Sequence, residues 1–374
     1  MTFILERRIP LGTNYGTLTG MGEKLMFHIG KSLGTRYKKL SSLSTVETQF
    51  SSTKESVTMQ STKCLASGFY ADENPTNSKE KGSPCNRHQY IAQADYDKFY
   101  IAKESLLGRF KCPVYTKLKK DARHKELKEL PSTEKYDEPL KSRINKLYKR
   151  EILSSKKSSY SVYDTFLAWV LYNHNDVIQE CISNVLPVMQ KAFQLRLWND
   201  IHGKLNMAQY FTGPILTQIF DEIYYAREKR WLNSKLSKLH FHGSHDNTVS
   251  PLFWVISKEE TKLALPGDTL IIEVSNDDFI KVYYYSLFGA ENTDRFKQIS
   301  LKPLLGKEDC KVAEFRTALM EFFLSELDWE KKCRDKEMLS GTSRTWPQAV
   351  KKEDLNIANT ELDCLQHKVN VVEW

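Results

Sequence analysis

The stretch KLHFHGSHDNTVSPLFWVI, residues 238–256, decides the predicted fold, because it changes from strand to helix within a few residues. A short strand, KLHFHG, runs into a polar turn, and a helix is predicted to begin near Asn247. In open α/β sheets, ligands bind beyond the carboxyl end of a strand, at a helix amino terminus whose free N–H groups favour anions. The turn contains His245 and Asp246. This stretch therefore predicts an anion-binding site in an α/β domain.

Two roles are open for the acidic residue of this turn. A protonated His245 can hold a phosphate oxygen, and Asp246, as a carboxylic acid, can protonate a departing alkoxide. Alternatively, Asp246 only caps the helix, a role that aspartate fills well. The spacing of the residues does not decide between the two roles.

The rest of the chain places strands near both ends and helices between them. Thr19 is the predicted N-cap of an amphipathic helix, and a short strand and a second helix from about Ser56 follow. Residues 92–230 have an almost wholly helical pattern, residues 268–289 predict a hairpin with SNDD at its turn, and residues 311–327 predict a closing amphipathic helix. The apolar stripe of the first helix consists of Met21, Leu25, Met26, Ile29 and Leu33.

This order of elements predicts an α/β sheet domain interrupted by a helical insertion. The expected divisions are residues 1–75 for the first part of the α/β core and 76–230 for the helical cap. Residues 231–340 are expected to form the second part of the core, and residues 341–374 an irregular C-terminal tail.

Composition excludes several classes of protein. The chain has 374 residues, 40% of them hydrophobic, and a formal net charge of +8. Most of the net positive charge comes from residues between Lys103 and Lys157, where lysines alternate with glutamates and apolar residues at helical spacing, so a solvated surface is favoured over a nucleic-acid groove. No apolar run approaches the roughly 18 residues of a membrane span, and the stretch MTFILERRIP does not resemble a signal peptide. We expect neither a nucleic-acid partner nor a membrane span.

A metal site is an alternative from a different chemical class. His240, His242 and His245 form an H-x-H-x-x-H pattern, and neutral imidazoles are good zinc ligands. On a strand, His240 and His242 point to the same side. Ser244 stands where the similar motif of metallo-β-lactamase-type hydrolases has aspartate, and no second ligand cluster with recognisable spacing follows. This alternative predicts a metal-dependent hydrolase, whereas the phosphate interpretation needs no metal and no other cofactor.

Four stretches in order resemble the histidine acid phosphatase family. SHDNTV at residues 244–249 resembles the His-Asp motif of the family, and GTLTGMGEKLMFHIGKSLGTRY at residues 16–37 resembles its G-x-L-T-x-x-G helix. FKCPVY at residues 110–115 resembles the Asn-Cys-Pro segment, and residues 268–285 resemble the hairpin that follows the His-Asp turn. The resemblance spans roughly residues 8–335.

The resemblance implies a phosphoglycerate-mutase-like three-layer sheet domain with an inserted all-helical cap. It implies hydrolysis of phosphate monoesters through a phosphohistidine intermediate, with His245 binding phosphate and Asp246 donating the proton. The implied partner is a phosphate monoester or another phosphorylated small molecule; no protein partner is indicated. Members of the family are usually secretory, lysosomal or vacuolar.

The resemblance also implies a disulfide between Cys112 and Cys333. No cysteine pair has C-x-x-C spacing, which argues against a structural zinc site or a redox motif. The remaining cysteines are expected to be buried or free thiols: Cys64, Cys85, Cys181, Cys310 and Cys364.

The sequence departs from the family at the nucleophile. The family motif R-H-G-x-R-x-P is not found; Arg8 and Pro10 match only its R-x-P tail, which makes Arg8 a weak candidate for substrate binding. In that register Leu5 takes the place of the nucleophile, and leucine cannot attack phosphorus. Either the motif has decayed or the sequence is incomplete at its amino terminus.

A second departure is independent of the amino terminus. The arginine-bearing R-S-T-D-x-x-R-T loop of the family appears as SSTKESVT, with Ser51 and Val57 in place of its two arginines. Because guanidinium groups bind phosphate through charge-assisted hydrogen bonds, we expect impaired or absent hydrolysis. The alternative is a non-catalytic pseudophosphatase that binds a phosphorylated ligand or a protein.

Overall fold

The structure is a computed structural model. It describes residues 18–37, 48–71, 99–101, 112–118, 142, 205–228, 239–258, 263–286 and 295–335. Its elements begin with α1 (Gly20–Arg36), β1 (Thr48–Ser52), α2 (Ser56–Phe69), β2 (Phe99–Ile101), α3 (Leu205–Glu228), β3 (Leu239–Gly243) and α4 (Asp246–Ser257). They continue with β4 (Thr269–Val274), β5 (Phe279–Tyr285), β6 (Phe296–Gln298), α5 (Lys302–Leu305), β7 (Cys310–Lys311), α6 (Val312–Ala318), a 3-10 helix (Met320–Phe322) and α7 (Glu326–Cys333).

A parallel sheet of order β2-β1-β3 lies between layers of helices. Phe50 of β1 pairs in register with Phe241 of β3, and their rings stack at 5.1 Å between centroids. These two rings pack against Ala66 of α2 on one face of the sheet. Because side chains alternate along a strand, His240 and His242 point to the other face, toward α3.

Helices α1 and α2 pack with their backbones in close approach. A Cβ atom added at Gly30 would lie 2.0 Å from the carbonyl oxygen of Leu65, and one added at Gly68 would lie 2.0 Å from that of Phe27. No larger residue fits at either position without moving a helix. The hydroxyl of Thr19 caps α1 by accepting from the N–H of Gly22 at 3.0 Å, which confirms the predicted helix start.

The predicted hairpin is the pair β4 and β5, which extends into an antiparallel sheet through β6 and β7. Its turn lies at residues 275–278, where Asp278 has a positive φ of 67°. The buried side chain of Tyr285 packs with Ile29 and Leu33 of α1, which joins the hairpin to the first helix pair. Val282 and Tyr284 pack into the larger core, which also includes residues of α3 and α4.

The single helix predicted for residues 311–327 is wrong. The chain forms α6, then the 3-10 helix, and then α7, whose N-cap is Ser325. Between the helices it turns so that Phe322 and Leu324 enter the core. An unbroken apolar pattern does not mark such a turn, but the spacing of Ser325 and Asp328 is a helix-start signal that would have found it.

The disulfide between Cys112 and Cys333 is confirmed, and it joins residues 221 positions apart. Cys310 is a buried free thiol, as expected. Cys64 is buried but is not a free thiol, since it is also disulfide-bonded; its partner lies outside the described residues. Cys85, Cys181 and Cys364 lie outside the described residues as well.

The α/β class predicted from the sequence is confirmed. Among the described residues, no helix combines the length and the apolar character needed to cross a membrane. The expectation of an all-helical segment is wrong at Phe99–Ile101, which form strand β2 and pair with β1 in the central sheet. The divisions at residues 75, 230 and 340 stay predictions, because most of the expected cap and all of the expected tail lie outside the described ranges.

Candidate active site

The carboxyl ends of β1 and β3 lie side by side and form the floor of the candidate site. Ser52 pairs with Gly243 at the end of the two parallel strands, and the N–H of Thr53 donates to the carbonyl of Gly243 at 3.3 Å. A Cβ atom at Gly243 would lie 1.9 Å from Oγ1 of Thr62 on α2, so a larger residue would have to displace the Thr62 side chain. The chain leaves both strands at the sheet edge where ligands bind in α/β proteins.

His245 stands at the junction of this edge with helix α4. It is the N-cap of α4, with φ −124° and ψ 165°, and its carbonyl accepts from the N–H groups of Thr248 and Val249. Its Nε2 lies 3.2 Å from the hydroxyl of Thr53. The imidazole therefore lies between the end of β1 and the positive end of the α4 dipole.

Asp246 is the first residue of α4 rather than its cap. The interpretation of Asp246 as the N-cap is wrong, because His245 takes that position; the His245 side chain makes no capping hydrogen bond. Oδ1 of Asp246 accepts from the N–H of Asn247 at 2.8 Å, and the side chain is half-buried. The carboxylate is thus next to His245 at the sheet edge.

The two positions at which the sequence predicts the loss of a family arginine have different surroundings. Ser51 is fully buried in β1, and its hydroxyl lies 2.7 Å from Nδ1 of His242. Val57, in the first turn of α2, is 36% exposed. Neither side chain carries a charge. Arg8 and Leu5, named from the sequence, lie outside the described residues.

His240 and His242 meet a carboxylate that the sequence did not predict. Oε2 of Glu222, on α3, lies 3.2 Å from Nδ1 of His240 and 3.2 Å from Nε2 of His242. Its other oxygen accepts from the amide of Gln218 at 2.7 Å. Burial alone raises the pKa of Glu222, but the hydrogen bonds and charges of the two histidines outweigh it and lower the pKa well below its usual range.

The three histidines of the H-x-H-x-x-H pattern do not share one cluster. The ligand atoms of Glu222, His240 and His242 lie within 4.8 Å of one another, while His245 faces Thr53. Glu222 lies 18 positions before His240, and no sequence spacing connects a mid-helix glutamate with a later strand. Only the packing of α3 on the sheet shows that Glu222 lies next to His240 and His242.

The fold and this strand-to-helix site define a class, and comparison with known proteins identifies it. The model of the histidine phosphatase superfamily (branch 2) matches residues 8–293, so the chain belongs to this superfamily. A lysosomal acid phosphatase of Xenopus laevis is 24% identical over 327 residues, which cover 86% of this chain and 71% of that protein.

Solved structures agree on the fold. The phytase of Klebsiella sp. ASR1 superposes with a TM-score of 0.55 at 11% identity and covers 90% of both chains. The phytase of Citrobacter braakii gives a TM-score of 0.53 at 13% identity, covering 86% of this chain and 90% of the phytase. The resemblance to the histidine acid phosphatases and the phosphoglycerate-mutase-like fold predicted from the sequence are therefore confirmed.

Proposed function

We propose that this chain binds phosphorylated small molecules at the carboxyl ends of β1 and β3 and hydrolyses phosphate monoesters slowly or not at all. The observation that carries the proposal is the buried hydroxyl of Ser51, bonded to His242 at a position where the resemblance to the family predicts an arginine. The names of the relatives, an acid phosphatase and phytases, support a phosphorylated ligand.

The cost of the two replacements follows from the chemistry of phosphate binding. A hydrogen bond to a charged group is worth about 1.5–3 kcal/mol, and arginine makes such bonds to phosphate in bidentate pairs. Losing one such contribution at Ser51 and another at Val57 lowers transition-state stabilisation by about 3–6 kcal/mol. That corresponds to a rate loss of roughly 10²- to 10⁴-fold. Ser51 lies in β1 and Val57 in α2, so this loss is the same whatever residues precede β1.

The groups that remain favour binding. An imidazolium at His245 would hold a phosphate oxygen beside the N–H groups of the first turn of α4, which attract anions. Asp246 would be the proton donor of any residual hydrolysis, and Arg8 would add a contact to the phosphate. No cofactor is needed for these roles.

The test of catalysis is release of an aryl alcohol from an aryl phosphate at acid pH. We expect the parent to release product at least about a hundredfold more slowly than an active acid phosphatase, and Asp246→Ala to reduce any remaining release to the rate of buffer. Asp277→Ala, which removes an exposed aspartate from the hairpin turn, is the matched control. Turnover at the rate of an active acid phosphatase in the parent and in Asp277→Ala, lost in Asp246→Ala, would contradict the impaired catalysis and support a working phosphatase.

The test of binding is equilibrium dialysis of inorganic phosphate against the same proteins. We expect saturable binding by the parent and a loss of at least about tenfold in affinity for His245→Ala, because a charge-assisted hydrogen bond is removed. His28→Gln, on α1, serves as the control for histidine removal. Equal phosphate binding by the parent and His245→Ala would exclude the role of His245.

A further inference from the structure

We propose that Glu222, His240 and His242 form a binding site for a zinc-class divalent transition-metal ion. The three side chains come from two elements, α3 and β3, and their ligand atoms lie within 4.8 Å of one another. The site includes neither His245 nor Asp246, so it goes beyond the proposed phosphate binding and does not depend on it.

Two of the three distances between the ligand atoms match those around a small tetrahedral ion. Metal–ligand bonds of about 2.0–2.1 Å in tetrahedral geometry place ligand atoms roughly 3.3–3.4 Å apart. Oε2 of Glu222 is 3.2 Å from Nδ1 of His240 and 3.2 Å from Nε2 of His242. The two imidazole nitrogens lie within 4.8 Å of each other, so one ion binds all three atoms once these nitrogens are roughly 3.3–3.4 Å apart.

The ion also has a path from solvent and a position for water. The side chains of His240, His242 and Glu222 retain 21%, 17% and 16% of their exposure, so the cluster is accessible although mostly covered. Three protein ligands leave the fourth tetrahedral position for a water molecule, as in open zinc sites with a His₂Glu donor set.

Neighbouring groups hold two of the ligands in the required orientation. Nδ1 of His242 lies 2.7 Å from the hydroxyl of Ser51, which leaves Nε2 directed at the cluster. The amide of Gln218 donates to Oε1 of Glu222 at 2.7 Å and leaves Oε2 for the ion. Metal-binding histidines and carboxylates are commonly held in this way by a second layer of hydrogen bonds.

The donor set selects the class of ion. Imidazole nitrogens suit zinc and neighbouring transition metals, whereas calcium and magnesium prefer oxygen ligands. The competing description is an ion pair between Glu222 and a protonated imidazole, which holds no metal. The two descriptions differ in whether the folded chain takes up one equivalent of Zn²⁺.

The first experiment is equilibrium dialysis of Zn²⁺ against the full chain without a histidine tag. We expect one equivalent bound by the parent, loss of that equivalent in His242→Ala and Glu222→Gln, and about ten- to hundredfold weaker binding in Ser51→Ala. His245→Ala, which alters the same strand-to-helix turn outside the cluster, should bind as the parent does. Circular dichroism establishes that each variant is folded.

A second readout is independent of the variants. Co²⁺ bound to the parent should show the intense visible absorption of a four-coordinate ion and should be displaced by Zn²⁺. Absence of a Zn²⁺ equivalent in the parent, the weak absorption of six-coordinate Co²⁺, or binding that survives Glu222→Gln would overturn the site. An equal loss of Zn²⁺ binding in His245→Ala would also overturn the proposed site and would favour the three histidines of the H-x-H-x-x-H pattern as the ligands instead.

Discussion

The carboxylate of Asp268 lies at the start of the hairpin and accepts a hydrogen bond from one buried phenol. Tyr284 of β5 donates its hydroxyl hydrogen to Oδ2 of Asp268 at 2.5 Å, and the N–H of Leu265 donates to the same oxygen at 2.9 Å. Burial, followed by the charge and the hydrogen bond of Asp268, raises the pKa of Tyr284 well above its usual range. The neutral phenol is therefore part of the folded state.

Removing this hydroxyl should destabilise the protein and change its response to alkali. Tyr284→Phe leaves the carboxylate without one donor, so we expect a loss of about 1–3 kcal/mol in the free energy of unfolding at neutral pH. Above about pH 10 the unfolded chain releases the tyrosine proton while folded Tyr284 retains it, so the parent loses up to about 1.4 kcal/mol per pH unit from this group. The variant should lack this contribution to the fall in unfolding free energy with rising pH. Urea unfolding measured at a series of pH values above about pH 10 tests this.

The adjacent tyrosine provides the control for this prediction. Tyr283→Phe removes a phenol from the partly exposed face of the same strand, where the ring packs under the guanidinium of Arg36. Tyr283→Phe should lower the free energy of unfolding at neutral pH clearly less than Tyr284→Phe does. Equal losses in the two variants would show that the bond to Asp268 contributes nothing specific.

Among the elements, α1 and α2 form the tightest pair in the described part of the chain. Gly30 and Gly68 let the two backbones approach, and Ile29, Leu33, Leu65 and Phe69 fill the space around them. Because the nearest neighbours of an added methyl group are backbone atoms, no side-chain movement relieves the clash.

Gly30→Ala should therefore be destabilising even though alanine is the better helix former. Because the added atom would lie 2.0 Å from a backbone oxygen, we expect a loss near the upper end of the roughly 1–3 kcal/mol typical of overpacking, which outweighs the gain of about 1 kcal/mol in helix propensity. The midpoint of urea unfolding measures it, provided that the slope is unchanged. Gly20→Ala, at the open start of the same helix, has no atom within 4 Å of the new methyl group and should not lower the midpoint. A midpoint for Gly30→Ala at or above that of Gly20→Ala would contradict the close packing.

At the scale of helices and strands, the features predicted correctly from the sequence were local ones. The cap at Thr19, the strand before His245 and the SNDD turn depend on neighbouring residues, and all three were found where the pattern indicated. Glu222 was missed because its partnership with His240 depends on how α3 packs against the sheet. Periodicity within one helix contains no information about that contact.

At the scale of the whole molecule, the bond between Cys112 and Cys333 connects a short helical stretch at residues 113–118 with the end of α7. Both sulfurs are buried, and both residues belong to the larger core with Tyr115, Tyr210 and Trp329. The indole N–H of Trp329 donates to the carbonyl of Tyr210 at 3.2 Å, so α7 is also tied to α3. The disulfide therefore lies within a packed region of the core.

Loss of this cross-link should lower stability more than loss of a buried sulfur alone. A bond that closes a loop of 221 positions strongly restricts the unfolded chain, and removal of a native disulfide typically costs about 2–5 kcal/mol. We expect a loss in this range for Cys112→Ala/Cys333→Ala in urea unfolding under non-reducing conditions. Cys310→Ala removes a buried thiol without opening a loop and should cost less. Equal unfolding midpoints for the double variant and the parent would contradict this expectation.

The same bond has a consequence for a chain that has been cut. Cys112 precedes most of the segment expected to form the helical cap, and Cys333 ends the last described helix. A protease that cleaves between these positions therefore produces two pieces that remain one covalent molecule. Such a nicked protein keeps its full mass until a reductant is added. The packed core around Trp329 can keep the two fragments in their native arrangement after the peptide bond is cleaved.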